Sequence, residues 1–242
     1  MHAKSAKMTV LSIETSTRVC SAALSVDGQT IASRMNREDG NHARFLSIFV
    51  KELLTELDAQ SLSLDAVALS EGPGSYTGLR IGASTAKGLC YGYNIPLIPI
   101  ATTEVLCASL MVQRDLQDGD YLLPMIDARR MEVYTALYQL QNGRPVLQND
   151  IAAKVIDSAE ALEYGNGRNI FFGDGAAKCK DILSKNADFI DDIVPDAADM
   201  GLLALQHMQD ARTCRTATDL AYYEPFYLKE FIAAQSHVKG LV

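Results

Sequence analysis

The sequence predicts an α/β protein built as two related lobes, each a mixed β-sheet flanked by helices. Three observations predict it. Short apolar runs alternate with longer segments of helical period. A strand ending in a carboxylate, followed by a long hairpin strand and an Asx-Gly turn, occurs twice. The glycine-rich segment 72–82 stands between a strand and a helix, where α/β folds place their tight turns and their anion sites.

Residues 10–14 form a short apolar strand that ends in the hydroxyl-rich corner Glu14-Thr15-Ser16-Thr17. In 20–26, Cys20, Ala22, Leu24 and Val26 share one face, and Asp27-Gly28 closes a hairpin because both residues tolerate positive φ. Residues 30–36 return as a third strand. From 41 to 57 the period becomes helical, with Phe45, Leu46, Phe49, Val50, Leu53, Leu54 and Leu57 on a wide apolar stripe. Residues 65–69 are a strand, 79–91 a second helix and 95–100 a further strand. Placing Glu14 on Asp127, an offset of 113 residues, aligns Leu24 with Leu137, and Asn142-Gly143 answers Asp27-Gly28 with two extra residues. A chance coincidence of hairpins is the competing explanation of this repeat. Beyond it, 170–175 read as strand and turn, 176–185 and 200–210 as helices, and 221–232 as an irregular tail held by Tyr and Phe. The expected division is 8–105 for an N-terminal lobe, 106–225 for a C-terminal lobe and 226–242 for a tail.

Composition narrows the function classes. The chain has 242 residues, 48% of them hydrophobic, enough for a normal core. Its 22 Lys+Arg against 30 Asp+Glu give a net charge of −8, which argues against independent nucleic-acid binding. No stretch approaches the roughly 20 apolar residues of a membrane span. The N-terminal residues do not read as a secretory signal, since Thr9, Ser12 and Glu14 break the apolar run. Five cysteines without a C-x-x-C pair read as reduced core thiols, hence a cytoplasmic protein.

The motifs leave few catalytic options. Segment 72–82 spaces its glycines as G-x-G-x-x-x-G after the fourth strand, which fits neither the dinucleotide fingerprint nor a Walker A loop; it is either an anion-holding turn or a tight helix start. Gly78, Gly82 and Ala86 recur every four residues, leaving a flat stripe that another helix can approach closely. That helix is either 42–57 of the same lobe or one from another protein, and Arg in place of Gly82 is expected to block the approach without unfolding the chain. None of His2, His42, His207 and His237 has a second ligand at metal spacing, and four residues after His42 stands Leu46. There is no nucleophile elbow. Glu14 and Asp127 either face each other as a carboxylate pair for Mg²⁺ or acid/base work, or cap their own loops. Thr15 and Ser16 in the first corner, with Asp127 and Arg129 in the second, are the weak candidates for a phosphate site, although Arg129-Arg130 fill space a nucleotide would need.

Taken together, Ile13-Glu14-Thr15-Ser16-Thr17, the run from Gly72 to Gly82 with Ala86-Lys87-Gly88-Leu89, and the run from Ile126 to Tyr134 resemble the TsaB (YeaZ) family. The match is strong from Met8 to about Tyr138 and thins to Gly173-Asp174-Gly175 and Pro225-Phe226-Tyr227-Leu228. Glu14 departs from it, since the family usually has Asp there. The resemblance implies a two-lobed actin/Hsp70/sugar-kinase (ASKHA, ribonuclease H-like) fold. It also implies a non-catalytic subunit that dimerises with and activates the TsaD-type catalytic paralogue, which threonylcarbamoylates adenosine 37 of tRNAs reading ANN codons. A TsaE-type ATPase would join the assembly, tRNA would be met indirectly through the complex, and the chain alone would form a homodimer. The partner's metal-binding H-x-x-x-H is absent here. No cofactor is expected in the isolated chain, with ATP or ADP a candidate at the complex interface. The expected contact residues are His42, Phe45, Leu46, Phe49, Gly74, Tyr76, Gly78, Leu79, Gly82 and Ala86. The alternative is an ASKHA-type phosphotransferase or glycoprotease-like enzyme acting alone.

Overall fold

The computed structural model describes residues 7–38, 40–183, 187–209 and 220–229. Its first sheet contains β1 (Thr9–Glu14), β2 (Cys20–Val26), β3 (Gln29–Asn36), β4 (Ala66–Gly72) and β5 (Leu97–Ala101), in the order β3-β2-β1-β4-β5. β1, β2 and β3 form an antiparallel meander, while β4 and β5 add in parallel. The parallel additions need crossovers, supplied by α1 (His42–Ala59) before β4 and α2 (Tyr76–Tyr93) before β5. α3 (Thr102–Gln113) follows.

The second sheet repeats this plan. β6 (Tyr121–Asp127) takes the place of β1, and β7 (Glu132–Thr135) with β8 (Tyr138–Gln141) takes that of β2, both antiparallel to β6. Leu137, the counterpart of Leu24, lies in the break between them. β9 (Arg144–Leu147) pairs with β8 as β3 pairs with β2, and β10 (Ala152–Val155) adds a second partner to β7. β11 (Asn169–Phe172) and β12 (Ala187–Ile190) then join β6 in parallel, as β4 and β5 join β1. The repeated order and directions establish a two-lobed ASKHA-type duplication.

Alternation along the buried strands assigns each face its cover. In the first sheet, Leu11, Ile13, Leu24, Val67 and Leu69 pack under α1 and α2. Val10, Ala66, Ala68, Ile98 and Ile100 face Val105 of α3 and the last described helix, α4 (Met200–Gln209). α3 turns Leu106, Cys107 and Leu110 to the second sheet, against Leu122, Ile126, Ile170 and Phe172. It is therefore a shared wall between the two sheets, and the expected boundary at 105/106 falls inside it. α4 follows the second sheet in sequence yet packs on the first.

Two expected elements differ. Residues 176–183 are not an α-helix but contain a short 3-10 turn at Ala177–Cys179, because Cys179 and Leu183 must reach down to Met125 and Phe171 before β12 begins; 184 and 185 lie outside the described residues. Helix α4 is described as far as Gln209, and residue 210 lies outside the described residues, as do His2, Cys214 and His237. The expected irregular tail is described at 220–229. Leu220 and Tyr223 enter the core under α1 and α2, the Lys87 ammonium donates to the carbonyls of Ala221 and Tyr223 at 3.1 and 3.2 Å, and Phe226 N–H donates to Glu71 O at 2.8 Å. Cys20, Cys90, Cys107 and Cys179 are buried free thiols. Among the described residues no helix is long and apolar enough to cross a membrane.

Candidate functional site: two acidic corners and a groove between helices

Both acidic corners cap their own loops, and they do so in the same way. Glu14 Oε1 accepts from Ser16 N–H at 2.5 Å and from the Ser16 hydroxyl at 2.6 Å, while Asp127 Oδ1 accepts from Arg129 N–H at 2.9 Å. The surroundings differ sharply. Glu14 is fully buried, and burial raises its carboxyl from the ordinary 4.5 to about 7, against the opposing hydrogen bonds from Ser16 and Ser70. Asp127 is exposed. Its partial burial is outweighed by the Lys178 ammonium bonded to Oδ1 and by the Arg129 N–H, which together hold it below the usual carboxylate range. One carboxyl is hidden and the other is paired with a lysine, so they do not form a matched pair for a metal. Among the described residues, no cluster of three or more His, Cys, Asp or Glu is placed to hold an ion.

The first corner is also filled. Ser75 N–H donates to Ser16 O at 2.6 Å, and the Thr15 hydroxyl donates to Gly78 O at 2.8 Å. A Cβ on Gly74 would collide with Ser16 O, and one on Gly78 with Thr15 O. The glycine-rich segment thus folds onto the corner, with Ser75 as the N-cap of α2 accepting from Gly78 N–H. This corrects the expectation for Thr15 and Ser16: their polar groups serve their own chain, and both residues are buried. In the second lobe, Asp174 Oδ1 accepts from Asp127 N–H at 2.9 Å, and a Cβ on Gly173 would stand 2.5 Å from Met125 O. That loop too is packed onto its strand.

The small-residue stripe of α2 meets β1 and β4 rather than another helix. A Cβ on Gly82 would strike the Thr15 hydroxyl and come within 3.1 Å of Leu69 Cδ1. Gly78, Leu79, Gly82 and Ala86 are buried on this side, and Leu46 is buried on the matching side of α1. These five are corrected from contact residues to core, and Gly74 to a loop contact. Arg at Gly82 would therefore disturb the fold itself. Helix geometry explains the error, because a stripe at four-residue spacing faces one direction and here the sheet occupies it.

What remains open is the neighbouring face. A groove of about 530 Å³ runs between α1 and α2, lined by Ala43, Ser47, Tyr76, Arg80, Ser84 and Thr85 among others. Phe45 and Phe49 stand half-buried on α1 with ring centroids 5.9 Å apart, and Ile48 is exposed. His42, at the helix start, donates from Nε2 to Thr17 O at 2.9 Å and so ties α1 to the first corner. Tyr76 stands at the groove's end, with the Arg80 guanidinium 4.4 Å from its centroid and the Tyr227 ring at 5.1 Å. Of the expected contact residues, only Tyr76 lines this groove; His42, Phe45 and Phe49 stand on α1 outside its lining, the two phenylalanines packed half-buried against the core. Ala43, Ser47, Arg80, Ser84 and Thr85 went unrecognised, although the repeat of small and polar residues at 77, 84, 85 and 88, beside the buried stripe, carried the signal.

This duplicated ASKHA chain falls in the class of threonylcarbamoyltransferase relatives: residues 36–235 match the family model TsaD, tRNA N6-adenosine threonylcarbamoyltransferase. Within that class the chain belongs to the TsaB family. It is 30% identical to the tRNA threonylcarbamoyladenosine biosynthesis protein TsaB of Haemophilus influenzae, over 92% of this chain and 94% of that one. It is 38% identical to TsaB of Bacillus subtilis over 56% of this chain and 57% of the relative. The solved YeaZ from Pseudomonas aeruginosa superposes with a TM-score of 0.75 at 26% identity, covering 91% of this chain and all of that one.

Proposed function

We propose that this chain works in tRNA threonylcarbamoyladenosine biosynthesis as a non-catalytic subunit, binding and activating a TsaD-type catalytic paralogue. The observation that carries the reading is the groove between α1 and α2, lined by Ala43, Ser47, Tyr76, Arg80, Ile81 and Ser84, in a chain whose two loop corners are folded onto themselves. A helix pair that covers a sheet needs apolar residues on one side only. α1 also carries Phe45, Ile48 and Phe49 away from its fully buried stripe, and such a surface favours association. A related paralogue offering the same helix pair would complete a four-helix packing, and a second copy of this chain would do so when the paralogue is absent. A TsaE-type ATPase joins the assembly in this reading, and the transfer chemistry belongs to the paralogue.

Ser84→Arg tests it. Ser84 is exposed on the groove, so the variant is expected to melt like the parent yet fail to co-elute with the catalytic paralogue. Co-elution at parental strength would remove this groove from the interface.

A further inference from the structure

Among the described residues, four pairs of neighbours have positive φ; Gly40-Asn41 leads into α1, and the other three form turns between paired strands. Two use residues suited to that conformation: Asp27-Gly28, at 50° and 80°, and Asn142-Gly143, at 51° and 69°. The third is Arg129-Arg130, at 71° and 50°, where a long branched-headed side chain gains nothing from the left-handed region and Gly or Asn would sit more easily. The turn is pinned by Ala128 N–H donating to Glu132 O at 3.0 Å and Glu132 N–H donating to Arg129 O at 3.2 Å. A strained conformation kept for two adjacent cations is a reason to look for what they contact.

The local charge points to an anion. The acids around the turn are already compensated: Asp127 pairs with Lys178, and Glu132 pairs with Lys229, whose ammonium also lies 5.7 Å from the Tyr134 ring. Arg129 and Arg130 are exposed and form no ion pair among the described residues. Exposed Arg18, from the first corner, lies close enough to act on Asp174 and adds a third cation on the side of the other lobe. In a chain of net charge −8, Arg129 and Arg130 thus stand as adjacent exposed cations outside any ion pair among the described residues.

We propose that the turn 128–131 is an RNA-backbone contact, its two arginines binding phosphates of the tRNA that the assembly modifies. This rests on the subunit reading above. It assigns the chain a direct part in holding substrate, which the acidic composition alone argued against. Guanidinium groups suit phosphate oxygens because their paired donors match them, and backbone contacts need no fixed base sequence.

The test replaces Arg129 and Arg130 by Asn and Gly, the pair this fold already uses at 142–143. The turn then becomes easier to form, so the variant is expected to melt no lower than the parent and to co-elute with the catalytic paralogue. In the reconstituted assembly its tRNA affinity is expected to fall about fivefold per lost contact at about 0.15 M salt, roughly 25-fold in all, and the salt slope to shrink by about 2. Arg114→Gln with Arg144→Gln removes the same charge at the opposite end of β6 and is expected to leave both quantities near parental values. Unchanged affinity and slope in the Asn-Gly variant, or an equal loss in the control, would overturn the proposal. So would loss of ADP binding with tRNA affinity intact, which would assign the arginines to a nucleotide. If omitting the whole chain leaves tRNA binding and modification unaltered, the subunit reading fails; if the chain is needed but tolerates the Asn-Gly turn, this inference alone fails.

Discussion

Glu14→Gln should stabilise the protein at alkaline pH and do so less as the pH is lowered. The carboxyl is fully buried, and burial raises it from 4.5 to about 7. Each pKa unit corresponds to about 1.4 kcal/mol, so ionising this group costs about 3 kcal/mol more in the folded chain than in the unfolded one. Between those two values the folded state binds the proton more tightly. Stability linked to Glu14 is therefore intact below about pH 4.5, declines as the pH rises towards 7, and carries the full cost above that. Gln removes the ionisation while keeping a side-chain oxygen to accept from Ser16 N–H and its hydroxyl. Parent and variant would be unfolded in urea at pH 5, 6, 7 and 8. The difference between them isolates Glu14 from Asp174 and Asp199, which burial also raises. The advantage of Gln is expected to grow by about 2–3 kcal/mol between pH 5 and pH 8. A difference that is flat with pH, or that shrinks towards pH 8, would refute the placement of an uncompensated carboxyl at the end of β1.

Three further outcomes follow from the packing. Gly82→Ala is expected to lower stability by about 1–3 kcal/mol in urea unfolding, since its Cβ meets the Thr15 hydroxyl and Leu69; a neutral result would show that α2 can move off β1. Leu46→Ala should cost about 2–5 kcal/mol, as expected of a fully buried side chain under α1, whereas an exposed contact residue would cost far less. In a Cys214→Ser background, a thiol reagent at pH 8 should leave the native protein unmodified and react after denaturation, because burial pushes Cys20 and Cys90 up to about 12 and raises Cys107 and Cys179 as well. Rapid native labelling would contradict the described core.

The repeat of strand, acidic corner and hairpin was legible because each half alternates cleanly and each meander closes on an Asx-Gly pair. Helix α3 escaped notice for a physical reason. Wedged between the sheets, it is apolar on both sides, Val105 towards one and Leu106, Cys107 and Leu110 towards the other, so no amphipathic period marks it. The 3-10 turn at Ala177–Cys179 and β12 were likewise hidden, being too short to show a period. At the site, the sequence marked both corners and both helices but not which side of α2 was covered. Four-residue spacing puts Gly78, Gly82 and Ala86 on one line, and only the position of Thr15 and Leu69 decides that the line faces the sheet. The arginine pair at 129–130 was visible as charge, but its positive φ values and its exposure came from the fold.

The central claim is that this chain supports another subunit's chemistry through the groove between α1 and α2. Its most direct test is a reconstituted modification assay with unmodified tRNA, threonine, bicarbonate, ATP, the threonylcarbamoyl-AMP synthase, the catalytic paralogue and the ATPase, run with the parent chain, with Ser84→Arg and with neither. The account predicts product with the parent, little with Ser84→Arg or with no chain, and none when the parent replaces the catalytic paralogue. Equal product in all three reactions, or product formed by this chain without the paralogue, would contradict it.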